Sequence, residues 1–247
     1  MAKRLDTGSP WVIHNNPRGK FFNPSGEGGT TAVPNRDYLL RRLLRASTAA
    51  PHYFKPERLH VAEGLDGAFI DGGFSTFKNP ALQMLMLATL KNYGFKWPFG
   101  AANLLLVSVG TGCISLHLSA DKVMKITTLQ LAKHALISLL EDCDWLGQTL
   151  LQWMSRSNTP WLIDQEIGDL QEDILGGLEL LSYVRYNVLL ESTWLKNNLG
   201  IKLTENQITK LQAMDAPKNV DKLLDLGRKA ATIQIQEKHF PSSFDIF

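Results

Sequence analysis

Apolar positions recur at two spacings along this chain, and the change of spacing divides it. The first half holds short apolar runs bounded by turn residues. In "PWVIHNNPRGKFFN" (10–23) two such runs, around Val12-Ile13 and Phe21-Phe22, flank Asn15, Asn16, Pro17 and Gly19, which predicts a strand pair or a strand with a loop. "PSGEGGTTAVP" (24–34) reads as loop. "NRDYLLRRLLRAS" (35–47) predicts a helix: Asn35 caps it, Asp37 suits its first turn, Leu39, Leu40, Leu43 and Leu44 form the inward stripe, and Arg41, Arg42 and Arg45 face solvent. The chain must leave that helix before Pro51. "GAFIDGG" (67–73) predicts a short buried strand ending at Asp71. "NPALQMLMLATLKNYG" (79–94) predicts a helix capped by Asn79, opened by Pro80 and followed by Gly94. "NLLLVSVGTG" (103–112) is a continuous apolar run with β-branched members, the pattern of a parallel strand covered on both faces. Residues 68–112 therefore predict a right-handed βαβ unit.

Beyond residue 119 the spacing becomes helical. "TTLQLAKHALISLLEDCDWLGQTLLQWMS" (127–155) keeps it over many turns. "DILGGLELLSYVRYNVLL" (173–190) fits either helix or strand. "LTENQITKLQAMD" (203–215) predicts a helix capped by Thr204. "DAPKNVDKLLDLGRKAATIQIQEKHF" (215–240) predicts a last helix capped by Asp215, with Leu223, Leu224, Ala230 and Ala231 facing inward. The fold class expected is α/β, with a parallel-type sheet over 1–120 and a mainly helical region over 121–247.

Composition narrows the function classes. At 247 residues, 44% hydrophobic and 20% charged, the chain has the content of a globular domain with a sizeable core. A net charge of +2 makes no electrostatic case for nucleic acid. Cys113 and Cys143 are too far apart for a C-x-x-C pair, so neither a disulfide framework nor a zinc site is expected. No apolar run reaches the roughly 20 residues that span a bilayer. "MAKRLDTGSPW" has no apolar core of a signal peptide, which favours the cytoplasm.

The candidate chemistry sits where the 67–73 run stops. A buried strand gains nothing from a carboxylate at its end, yet Asp71 stands there with Gly72 and Gly73 behind it. Ligands of open α/β sheets gather at the carboxyl ends of strands, and "SVGTG" ends the next predicted strand. A carboxylate on that rim can take a proton from a nucleophile or orient a base. On these residues alone an Asp-Gly turn is the simpler meaning.

Three ordered segments shift that balance: "RASTAAPHYFKP" (45–56), "FIDGGFSTFKNPAL" (69–82) and "LLLVSVGTG" (104–112). Together they resemble the patatin-like family of lipid acyl hydrolases. "LSYVRYNVLL" and "DAPKNVDKLLDLGRKAA" are similar to the C-terminal part of its bacterial members. The resemblance implies a three-layer α/β fold, of which this chain is a part. It implies that Asp71 is the catalytic aspartate of a Ser–Asp dyad, flanked by Gly72, Gly73, Asn79 and Pro80, with Ser47 and Pro51 near the site. The substrate implied is an acyl lipid or phospholipid, with peripheral membrane contact and neither cofactor nor metal.

The family's serine lies in a G-x-S-x-G elbow. No glycine here starts one; Gly73-Phe74-Ser75 begins it, but Phe77 stands where the second glycine belongs. The expectation is a chain without the N-terminal elbow and oxyanion loop, with an open sheet edge and an exposed apolar face. A complementing chain would then supply the nucleophile, or a catalytically inactive remnant would bind lipid or a partner.

Other features carry less. His14, His52, His60, His117, His134 and His239 show no metal spacing. The Gly110-Thr111-Gly112 turn lacks the full phosphate-loop pattern. Glu141, Asp142 and Asp144 fit a solvated helix face better than calcium ligation. Trp145, Trp153 and Trp161 fit core packing better than a lipid-facing surface.

Overall fold

A computed structural model describes residues 1–24, 32–114, 118–213 and 215–245. The fold is mixed α/β, with a three-stranded parallel sheet, a four-stranded antiparallel sheet and seven α-helices among the described residues. Two compact units make up the chain: Met1–Phe99 with Ala135–Leu151, and Gly100–His134 with Gln152–Phe247.

The first unit is built on the antiparallel sheet, ordered β2 (Ser9–Trp11), β1 (Ala2–Arg4), β4 (Leu65–Asp71), β3 (Glu57–Ala62). Glu63 and Gly64 join β3 to β4, and Gly64 takes φ +67°, a conformation that suits glycine. That hairpin fills one edge of β4, and β1 fills the other with Ala2 opposite Asp71. The expected βαβ unit is therefore wrong. The strand ending at Asp71 is there, but both its edges are taken by antiparallel neighbours, and the 103–109 strand belongs to the other sheet. The 12–13 and 21–22 runs form no strand pair; β2 ends at Trp11 and Phe21-Phe22 lie in turns.

Ala2, Leu59, Val61 and Phe69 project from this sheet into one core, closed by Ala46 of α1 (Leu40–Ser47). Trp11 meets Phe69 edge-on at 5.4 Å between ring centroids. The leucine stripe of α1 is a correction. Leu39, Leu40 and Leu44 are exposed, because the helix turns Leu43 and the small Ala46 to the sheet. Asn35 opens a separate 3₁₀ turn, Asn35–Asp37, and does not cap α1. After β4, α2 (Ala81–Thr89) starts one residue later than expected, with Pro80 as its N-cap and Asn79 Oδ1 accepting from the Ala81 N–H at 3.1 Å just ahead of it; it ends at Thr89, and Gly94 closes a separate 3₁₀ turn, Lys91–Tyr93. The 24–34 loop falls mostly on residues outside those described.

The second unit is built on β5 (Leu105–Val109), β7 (Leu181–Tyr186) and β6 (Ser155–Ser157), paired in parallel in that order. All six residues of the central β7 are buried, which resolves the 173–190 ambiguity as strand. β5 lies at the sheet edge, not covered on both faces: Val107 and Val109 are exposed. On the segment that follows β7 pack α5 (Ser192–Leu199), α6 (Glu205–Leu211) and α7 (Val220–Gln234), with Val188, Leu190, Leu195, Leu199, Ile208, Leu226 and Ala230 in one core. Thr204 closes a full capping box with Gln207 at the start of α6. Asn219, not Asp215, precedes α7, and Leu224 and Ala231 are exposed, because the inward face runs through Leu226 and Ala230. Two helices remain: the short α3 (Ala120–Val123) and the long α4 (Thr128–Trp153).

Candidate functional site

The site begins with the antiparallel pairing of β1 and β4. Ala2 lies opposite Asp71, so the Met1 end of β1 rests on the Asp-Gly-Gly turn. Gly72 is required there: a Cβ at this position would come within 2.6 Å of the Met1 carbonyl oxygen. Ser47, at the end of α1, donates from Oγ to that same carbonyl at 2.5 Å. The Asp71 N–H donates to the Ala49 carbonyl at 3.1 Å, tying the end of β4 to the buried Ala49-Ala50 segment after α1.

Asp71 itself is half-buried and caps the 3₁₀ turn Gly72–Phe74. Its Oδ1 accepts from the Gly73 N–H at 2.7 Å. Ser75 secures the turn from below, donating from Oγ to the Gly72 carbonyl at 2.7 Å while accepting from the Phe77 N–H at 3.2 Å. The second carboxylate oxygen of Asp71 has no hydrogen-bond partner among the described residues. The Met1 amino group lies within electrostatic reach of the Asp71 carboxylate. Burial pushes the pKa of that amine down, and the Asp71 carboxylate works against the shift.

The residues named near the site fall in three places. Ser47, Asp71, Gly72 and Gly73 converge on the Met1 end of β1. Asn79 and Pro80 start α2. Pro51 lies in the turn after Ala50, next to His52, which is held at φ +80° and packed edge-on against Tyr53. No serine hydroxyl of the described residues bonds to the Asp71 carboxylate.

The carboxyl end of β5 is a glycine turn of the second unit. Asn187 Oδ1 accepts from the Gly112 N–H at 3.0 Å, and Gly110 lies against the same side chain. Beside β6 the second unit has a polar recess of about 270 Å³, walled by Ser155, Arg156, Asp169 and Glu179. Gln152 braces its base, donating to the Trp161 and Asp169 carbonyls and accepting from the Trp161 N–H.

The remaining candidates resolve as follows. Glu141 pairs with Lys78 at 3.8 Å, and burial raises its carboxyl pKa, so that part of the acidic cluster is not a solvated face. Trp161 stacks on Trp194 at 6.0 Å, whereas Trp145 and Trp153 are exposed and do not serve as core. His117 lies outside the described residues. No group of three His, Cys, Asp or Glu side chains able to hold a metal occurs among the described residues, and no helix there is long and apolar enough to cross a membrane.

Sequence reasoning missed the strands beside Asp71. β3 carries a signal, because Leu59 and Val61 alternate inward with Arg58 and His60 outward. β1 is three residues long and offers none. No family model matches the chain, and no curated protein matches it.

Proposed function

We propose that this chain carries the aspartate of a patatin-like lipid acyl hydrolase, with Asp71 as general base of a Ser–Asp dyad whose serine comes from a G-x-S-x-G segment outside this sequence. One observation carries the reading. Asp71 ends a strand with Oδ1 fixed on the Gly73 N–H, while its other oxygen keeps its lone pairs. A fixed carboxylate with one unoccupied oxygen suits a base that must meet an incoming hydroxyl. The ordered Ser-Thr-Ala-Ala-Pro, Asp-Gly-Gly and Gly-Thr-Gly segments support the same reading.

In this scheme Asp71 takes the seryl proton as the serine oxygen adds to an ester carbonyl. Collapse of the tetrahedral adduct expels the alcohol, which takes that proton and leaves an acyl-enzyme. Asp71 then deprotonates water, the hydroxide oxygen adds to the acyl carbonyl, and the fatty acid leaves as the serine regains its proton. The substrate class is an acyl lipid or phospholipid, met at a membrane surface.

The test joins this chain to a segment bearing a G-x-S-x-G elbow, fused or co-expressed, and follows ester hydrolysis. Asp71→Asn is expected to lower turnover about 10²–10⁴-fold, the usual weight of general-base catalysis. Activity that survives the substitution unchanged overturns the dyad.

A further inference from the structure

Helix α1 turns one side to its sheet, through Leu43 and Ala46. Its outer side is also apolar. Leu40 and Leu44, one turn apart, are 69% and 57% exposed. After the helix the chain turns back and adds Tyr53 and Phe54, 46% and 53% exposed. Arg45 fastens that turn to the helix. Its guanidinium lies 4.6 Å from the centroid of the Phe54 ring, and Nη2 donates to the Lys55 carbonyl at 3.3 Å. All four apolar side chains belong to the first unit, and none is part of its core.

The charges around them are one-sided. Residues 36–58 hold six basic side chains and two acidic ones, in a chain whose net charge is only +2. Both acids are taken: Asp37 pairs with Arg36 at 3.5 Å, and Glu57 pairs with Arg42. Arg58 pairs with Asp66 at 3.8 Å. Arg41, Arg45 and Lys55 have no carboxylate partner among the described residues. We infer that the outer face of α1, with the Tyr53-Phe54 turn, docks on an anionic lipid surface. The leucines and rings enter the headgroup boundary, while Arg41, Arg45 and Lys55 meet lipid phosphates. Charge selects this occupant over a protein one. A dry protein interface would take three unpaired cations out of water, a penalty that apolar contact does not offset. A bilayer interface keeps the cationic heads wet beside phosphate and takes the apolar side chains below them.

The docking needs both halves of the face. A helix of eight residues is too short to hold a membrane by apolar contact alone, and three exposed cations alone are screened by salt. Together they give a reversible, lipid-selective attachment. The helix leads directly into Ala49, whose carbonyl accepts from the Asp71 N–H, so docking there would bring the candidate site to its substrate. In that purpose the docking rests on the hydrolase reading of Asp71. Vesicle binding needs no turnover, so either can fail alone.

The test sediments the full chain with vesicles of phosphatidylcholine, with and without phosphatidylglycerol. Binding is expected only where phosphatidylglycerol is present, and it should fall as salt rises. Arg41→Gln with Lys55→Gln is expected to weaken it at least about tenfold, as loss of two cations at an anionic surface does. Leu40→Ser with Leu44→Ser, at exposed positions outside the core, is expected to weaken it at least as much through the apolar half. Asp71→Asn should bind like the parent. No binding to phosphatidylglycerol vesicles overturns the inference, as does equal binding to phosphatidylcholine alone or binding that neither pair of substitutions reduces. Retention on heparin that the Arg41 and Lys55 pair abolishes, with vesicles left unbound, overturns it in favour of a soluble polyanion. Self-association that the Leu40 and Leu44 pair abolishes, with vesicles left unbound, overturns it in favour of a second copy of this chain.

Discussion

Arg185 reaches across the β5–β7 pairing to donate from Nη1 to the Ser108 hydroxyl at 2.8 Å, and the two residues are partners in the strand register. Both side chains are buried, so the hydroxyl stands in for water at a guanidinium in the parallel sheet. Ser108→Ala removes that acceptor and is expected to cost about 1.5–3 kcal/mol, the range for hydrogen bonds to charged groups. With Arg185→Met already in place, the same substitution should cost much less, because no buried charge is left in need of the hydroxyl. Equal costs in both backgrounds, measured by denaturant unfolding, would show that Ser108 acts independently of Arg185.

The turn that ends β5 allows one substitution to be read through its neighbour. A Cβ on Gly110 would come within 2.3 Å of Asn187 Oδ1, the atom that accepts from the Gly112 N–H. Gly110→Ala must therefore push Asn187 aside and break the bond that closes the turn. Overpacking of this kind costs about 1–3 kcal/mol. In Asn187→Ala the obstruction is gone, so Gly110→Ala should add little there. Urea melts of the two single variants and the double variant measure the non-additivity.

Acid should loosen the C-terminal segment. His239 is buried beside Tyr186, with its Nδ1 2.9 Å from the phenol oxygen, and Asn158 holds the His239 carbonyl. Burial first, and then the Lys238 charge, push the His239 pKa below its ordinary 6.5. A base with a lowered folded pKa binds fewer protons in the native state, so stability rises with pH. Its contribution is complete above about 6.5 and is lost as pH falls from there toward the folded pKa. His14 is shifted in the same direction by burial. Melting temperature should therefore fall between about pH 7 and 5. His239→Gln should reduce the slope without abolishing it, since His14 remains. An unchanged slope in that variant would remove His239 from the account.

These cases separate what local pattern reveals from what pairing decides. The strand that ends at Asp71 and the Thr204 cap of α6 are local signals, and each is where the sequence puts it, while α2 starts within one residue of its expected position. The partners of β4 are not local. β1 lies some seventy residues upstream and holds only Ala2, Lys3 and Arg4, too few for a period to show. The leucines of α1 misled because helical spacing identifies a helix but not which side meets the sheet, and the small Ala46 fits that contact. At the candidate site Asp71 was legible from its glycines. Its contact with the Met1 end of β1 was not, since it depends on the same long-range pairing.

Asp71 has a structural duty that can be separated from a chemical one. Its Oδ1 accepts the Gly73 N–H at 2.7 Å, closing the turn on which Gly72 meets the Met1 carbonyl. Asparagine keeps an oxygen at that position and can accept the same bond, whereas alanine cannot. Asp71→Ala is therefore expected to destabilise by about 1 kcal/mol, the usual cost of losing a capping side chain. Asp71→Asn should melt close to the parent. With the elbow segment supplied, the two variants should be alike in activity, both deprived of a base, while differing in stability. If Asp71→Asn melts as low as Asp71→Ala, the charge beside the Met1 amino group holds the turn more than the hydrogen bond does. If Asp71→Asn instead keeps full activity, the carboxylate serves only the turn.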